Sequence, residues 1–99
     1  PDPFFHGDNK GNFINVNNAA LELTGYTRDE LLGMNIKGLF PDDVLNRVPL
    51  RFDLLEQGLI LKVERTMQTK NGGRLTIEMN SKKMPAPKPL RSGDIRLTR

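Results

Sequence analysis

The chain has 99 residues, 36% of them hydrophobic, a mean hydropathy of −0.50 and no cysteine. That is enough for one domain with a single modest core. It excludes disulfides, thiolate metal sites and cysteine nucleophiles, and it fits a reducing, cytoplasmic setting. The formal charge of +3 comes entirely from Lys88, Arg91, Arg96 and Arg99 set against Asp94, because residues 1–87 hold eleven cations and eleven carboxylates. A neutral body with a short basic tail is not the patterned basic face that nucleic acid requires, so no nucleic-acid partner is expected. No apolar run approaches the roughly 18–20 residues that span a bilayer, and Pro1–Asp8 lacks the charged and apolar regions of a signal peptide, so no membrane partner is expected either.

In chain order, Phe4-Phe5-His6 reads as a short aromatic strand, Asp8-Asn9-Lys10-Gly11 as a turn and Phe13-Ile14-Asn15-Val16 as the returning strand. Asn17 or Asn18 is placed to cap a short helix through Ala19–Leu23, which Gly25 ends by taking a left-handed conformation. Thr27-Arg28-Asp29-Glu30 has capping-box spacing and opens a second helix, stopped at Gly33. Asn35–Phe40 predicts a turn of helix, and Pro41-Asp42-Asp43 a further helix entry with a brief turn at 43–47. A longer helix is expected from Pro49 to Gln57, with Leu50, Phe52, Leu54 and Leu55 on its apolar side and Gly58 as its stop.

Residues 59–84 alternate with period two. Leu61, Val63, Arg65, Met67 and Thr69 share one face; Leu75, Ile77, Met79 and Ser81 share another beyond Asn71-Gly72, a short-hairpin signal. One apolar face requires one layer of cover, so the fold class expected is α+β: an antiparallel sheet with short helices on one side.

Asn17, Leu23-Thr24-Gly25-Tyr26 and Glu30-Leu31-Leu32-Gly33, at their fixed spacing, resemble the signature of PAS sensory domains. Pro49-Leu50-Arg51-Phe52-Asp53-Leu54-Leu55, with Gly58 and Glu64-Arg65, is similar to a bacterial and archaeal variant of that family. The resemblance runs from Phe4 to Pro85. It implies a sheet of about five strands, with helices covering one face and enclosing a small cavity. It also implies a sensory input module of a larger signalling protein, such as a sensor histidine kinase, whose attached effector domain is its partner. Residues 1–85 are then the PAS-like domain and 86–99 a basic tail. The family's last strand follows an Asp-Gly turn and ends in Asp-Ile-Thr; here Ala86-Pro87-Lys88-Pro89 interrupts, with 86–89 expected to be extended. Asp94–Arg99 alternates and is the candidate for the last strand, the other readings being a linker or a segment foreign to the domain.

Around a family-type cavity the candidates are Leu39, Phe40, Phe52, Leu55, Val63, Met67, Ile77 and Met79, binding a small apolar ligand; the alternative is that these side chains simply fill the core. No cofactor is expected. The flavin-adduct and thiol-linked chromophore members need a cysteine, the FAD members typically a tryptophan, and the haem members a histidine on the helix at 49–57; none is present. No catalytic set is visible: His6 is the only histidine and reads as a surface residue, and Asp42-Asp43 is explained by helix entry. A ligand-free dimerisation module of a diguanylate cyclase or transcription regulator is the second reading, with Phe4-Phe5 and the outer sheet face as the surface of a homodimer.

Overall fold

The computed structural model describes residues 2–84 and 92–98. Its elements are β1 (Phe4–Asp8), β2 (Phe13–Val16), α1 (Asn18–Thr24), α2 (Arg28–Leu32), a 3-10 turn (Ile36–Leu39), α3 (Asp42–Arg47), α4 (Phe52–Glu56), β3 (Leu61–Gln68), β4 (Arg74–Lys83) and β5 (Ser92–Thr98). All five strands pair antiparallel in the order β2-β1-β5-β4-β3. β5, last in sequence, therefore fills the slot between the two hairpins, with Phe5 opposite Ile95 and Met79 opposite Leu97. The extended reading of 86–89 lies outside the described residues.

Alternation decides which side chains go inward. Phe5, Met67, Ile77 and Met79 leave the sheet on one face and meet Ala20, Leu23, Leu31, Ile36, Leu39 and Phe40 in one buried cluster. Phe5 and Phe13 pack with ring centroids 5.1 Å apart. The opposite face of β3 and β4 carries Lys62, Glu64, Thr66, Thr76 and Glu78, the one-sided pattern expected of a sheet covered by helices on one side.

The short helices are held by their ends. Asn17 Oδ1 accepts from Ala20 N, capping α1, and from Phe4 N, tying the helix to β1; its Nδ2 donates to the Asp2 carbonyl. Thr27 and Glu30 make both bonds of the capping box. Gly25 stands at φ +79 and donates to the Leu21 carbonyl.

Two local expectations are corrected and a third is given its geometry. The helix expected from Pro49 begins only at Phe52, with Arg51 as N-cap. A helix from Pro49 would use the Val48 and Pro49 carbonyls as its first two acceptors; both are taken by the Arg65 side chain instead, at 2.8 and 2.5 Å. The short hairpin expected at Asn71-Gly72 joins β3 and β4; its turn is not of the two-residue type, because Gly72 has positive φ and Asn71 does not. Thr69 N donates to Gly73 O and Gly72 N to Thr69 O, making a three-residue loop that ends in a left-handed glycine. Asp8–Asn12 repeats this geometry around Gly11. Finally, Phe5 is fully buried and offers nothing to an outer surface.

Candidate functional site

The inner face of β3 and β4 does not meet a closed layer of helix along its whole length. Under α4 it leaves a partly enclosed cavity of about 20 Å³, space for about one water. Leu50, Phe52 and Leu55 line it from the helical side, and Val63, Arg65, Met79 and Ser81 from the sheet. Phe52 is set from the far side by Gly11, where an added Cβ would stand 2.8 Å from the ring and from Ile36 Cγ2.

Of the eight residues proposed from the sequence, Phe52, Leu55, Val63 and Met79 come together here. Leu39, Phe40, Met67 and Ile77 do not; each is at most 4% exposed and belongs to the solid part of the core. Position on the apolar face was readable, but which of those positions pack tightly depends on where the helices cross it.

Among the lining residues that the candidate set omits, Arg65 is the buried cation. It alternates with Val63 and Met67 on the inward face, so its guanidinium is carried into the interior, and the residue is 7% exposed. Nε donates to the Val48 carbonyl at 2.8 Å, Nη2 to the Pro49 carbonyl at 2.5 Å and Nη1 contacts Met79 Sδ at 3.2 Å. Burial pulls its pKa below the ordinary arginine value. A guanidinium remains protonated even so. The signal for it was in the sequence: an arginine in phase with an apolar run. Its effect is to clamp the stretch between α3 and α4 against the sheet. Lys83, 3.2 Å from Glu56, adds an ion pair at the end of α4.

The remaining chemistry is elsewhere. His6 is partly buried, with Nε2 shielded and without a hydrogen-bond partner. It alternates with Phe5 and so lies on the sheet face away from the cavity. No group of three or more metal-ligating side chains occurs among the described residues. The conspicuous carboxylates serve structure: Lys70 holds the Glu30 carboxyl below its usual range, followed by the Thr27 backbone N–H, and Arg74 does the same for Asp43. Among the described residues no helix is long and apolar enough to cross a membrane.

A covered antiparallel sheet with a small pocket under its loosest helix defines a class of sensory modules, and comparison with known proteins names it. A family profile described as PAS domain matches residues 1–96, and the chain belongs to that family. Among solved structures, a domain of the sensory box sensor histidine kinase/response regulator from Geobacter sulfurreducens is 29% identical with a TM-score of 0.80, the match covering 96% of this chain and 81% of that one. A PAS domain from a two-component sensor histidine kinase superposes with a TM-score of 0.83 at 18% identity, over 97% of this chain and 82% of that one. A fungal LOV domain photoreceptor reaches 0.85 at 16% identity, over 99% and 75%. No curated protein matches the chain.

Proposed function

We propose that the chain is a cytoplasmic sensory input module that takes a small ligand under α4 and regulates an attached effector domain. The observation that carries this reading is the cavity itself: it is lined mainly by apolar side chains, with Arg65 and Ser81 among them, and covered by a five-residue helix that has no buried residue. The cover can shift outward without dismantling the core, which is what a binding-driven change of packing needs. A histidine kinase is the favoured effector, in keeping with the sensor histidine kinase domain that is 29% identical. The test is native mass spectrometry of the purified chain against its denatured mass, followed by calorimetry over a metabolite library. A small molecule retained on the native chain, or saturable binding in the library, supports the reading. A clean native mass together with no binding overturns it.

A second reading, ligand-free dimerisation, draws on Ile14, 47% exposed on the edge strand β2, and on Phe4 in the neighbouring strand β1. A strictly monomeric chain in sedimentation at high concentration removes it.

A further inference from the structure

Arg65 brings a full positive charge into an apolar cavity, and its three bonds go to two neutral carbonyls and a thioether. Among the described residues no carboxylate stands within salt-bridge distance of it. Buried charges are ordinarily paired with an opposite charge, because neutral partners offset only part of the lost hydration. A guanidinium has five N–H donors. Those three bonds leave one N–H on each terminal nitrogen, the pair that a carboxylate takes side by side. The wall beside it divides in chemistry: Ser81 adds a hydroxyl and Arg51 a guanidinium already held by Asp53, while Phe52, Leu55 and Val63 are apolar.

We propose that this cavity binds a short aliphatic monocarboxylate, its head group on Arg65 and Ser81 and its acyl chain against Phe52, Leu55 and Val63. The assignment rests on the sensing reading above and names its ligand class. Arg51 also lines the cavity but is already paired with Asp53 at 2.8 Å, so Arg65 and one hydroxyl are left to match a single negative charge; a phosphate dianion would carry charge that these groups leave unpaired. As it stands the cavity has room for about one water, so the acid enters as α4 moves outward. The same guanidinium holds the Val48 and Pro49 carbonyls, so a carboxylate on its remaining N–H groups draws on the same positive charge and weakens the bonds that fasten the 48–51 stretch. Ligand recognition and loosening of the cover are thereby coupled.

The test is titration of the isotopically labelled full chain with butyrate, and in parallel with butyramide and with inorganic phosphate, at constant ionic strength. Butyrate is expected to move the Arg65 side-chain Nε–H and the amides of 48–55 saturably, with the amide at least about tenfold weaker, the loss of one charge-assisted contact. Arg65→Gln is expected to abolish that preference; if the variant does not fold, the acid–amide comparison on the natural chain still decides. Equal binding of acid and amide overturns the proposal, as does equal binding of phosphate or no binding by any acid from two to six carbons. A retained neutral molecule in native mass spectrometry with no acid binding removes the carboxylate alone and leaves the sensing reading standing; no binding in either experiment removes both.

Discussion

α1 and α2 on one side, and α3 and α4 on the other, cover the same face of one sheet but are fastened in different ways. The first pair carries its own caps. Asn17 and Thr27 satisfy the helix starts, Ala20, Leu23, Thr24 and Leu31 are buried, and Arg28 reaches back to the Val16 carbonyl and Asn18. The second pair has no side-chain cap at either helix start; α3 buries Val44 alone and α4 buries nothing. What fastens it comes from outside: buried Arg65 on the Val48 and Pro49 carbonyls, and the ion pairs Arg74–Asp43 on α3 and Lys83–Glu56 on α4. A helix that holds itself can serve as scaffold, whereas one held by side chains of the sheet can be released by whatever engages them.

Core truncation separates the two regions most sharply. Leu31→Ala, at a fully buried position, is expected to cost about 2–5 kcal/mol in chemical denaturation. Leu55→Ala, on the half-exposed α4, should cost less than about 1.5 kcal/mol, since little burial is lost. Equal losses would break the comparison, because α4 would then be as much a part of the core as α2.

The glycines sharpen it next. Gly11 and Gly58 both have positive φ, at +87 and +86, but a Cβ on Gly11 meets Phe52 and Ile36 whereas one on Gly58 meets open space. Gly58→Ala is expected to cost about 1–2 kcal/mol, the left-handed penalty alone. Gly11→Ala should cost clearly more and should shift the amide resonances of α4 through Phe52. If the two substitutions cost the same, Gly11 does not position the cavity wall.

A smaller effect is expected at the cap. Asn17→Ala should lower stability by about 1–2 kcal/mol. Because Asn17 also accepts from Phe4 N, amide exchange should quicken in β1 as well as in α1. Exchange confined to α1 would show that the cap does not couple helix to strand.

The smallest effect concerns charge. The Glu30 carboxyl is held below its usual range by Lys70 and then by the Thr27 N–H. A lowered folded pKa stabilises above the unfolded carboxylate pKa, and that contribution disappears as pH falls through the folded value. Both side chains are substantially exposed, so the contribution is small and sensitive to salt. Lys70→Met should raise the Glu30 pKa in a carboxyl-detected titration and leave the cavity resonances unmoved. An unchanged pKa would place its cause in the capping bond alone.

Much of the fold could be read along the chain because its signals are local. A capping box needs four consecutive residues, a left-handed glycine only its own φ, and strand faces only a period of two. The PAS signature at 17–33 is made of such signals. Four of the eight cavity candidates sit where the cavity is and four do not, since all eight share inward positions, and inwardness is local whereas tight packing is not. Arg65 shows the other limit. Its phase with Val63 and Met67 announces burial, but its partners are the carbonyls of Val48 and Pro49, far along the chain, so the late start of α4 follows from a contact that no local pattern contains.

The sequence by itself determined the composition of the elements, their caps, the inward face of each strand and the family, because these depend on neighbours within a few residues. Only the tertiary structure decided that Ser92–Thr98 is the segment that fills the slot between β1 and β4, that Phe5 is core and not surface, and that one arginine stands over a cavity with neutral partners. Those outcomes depend on which distant segments share a face, and burial of a charge gains its meaning only from what the fold brings beside it.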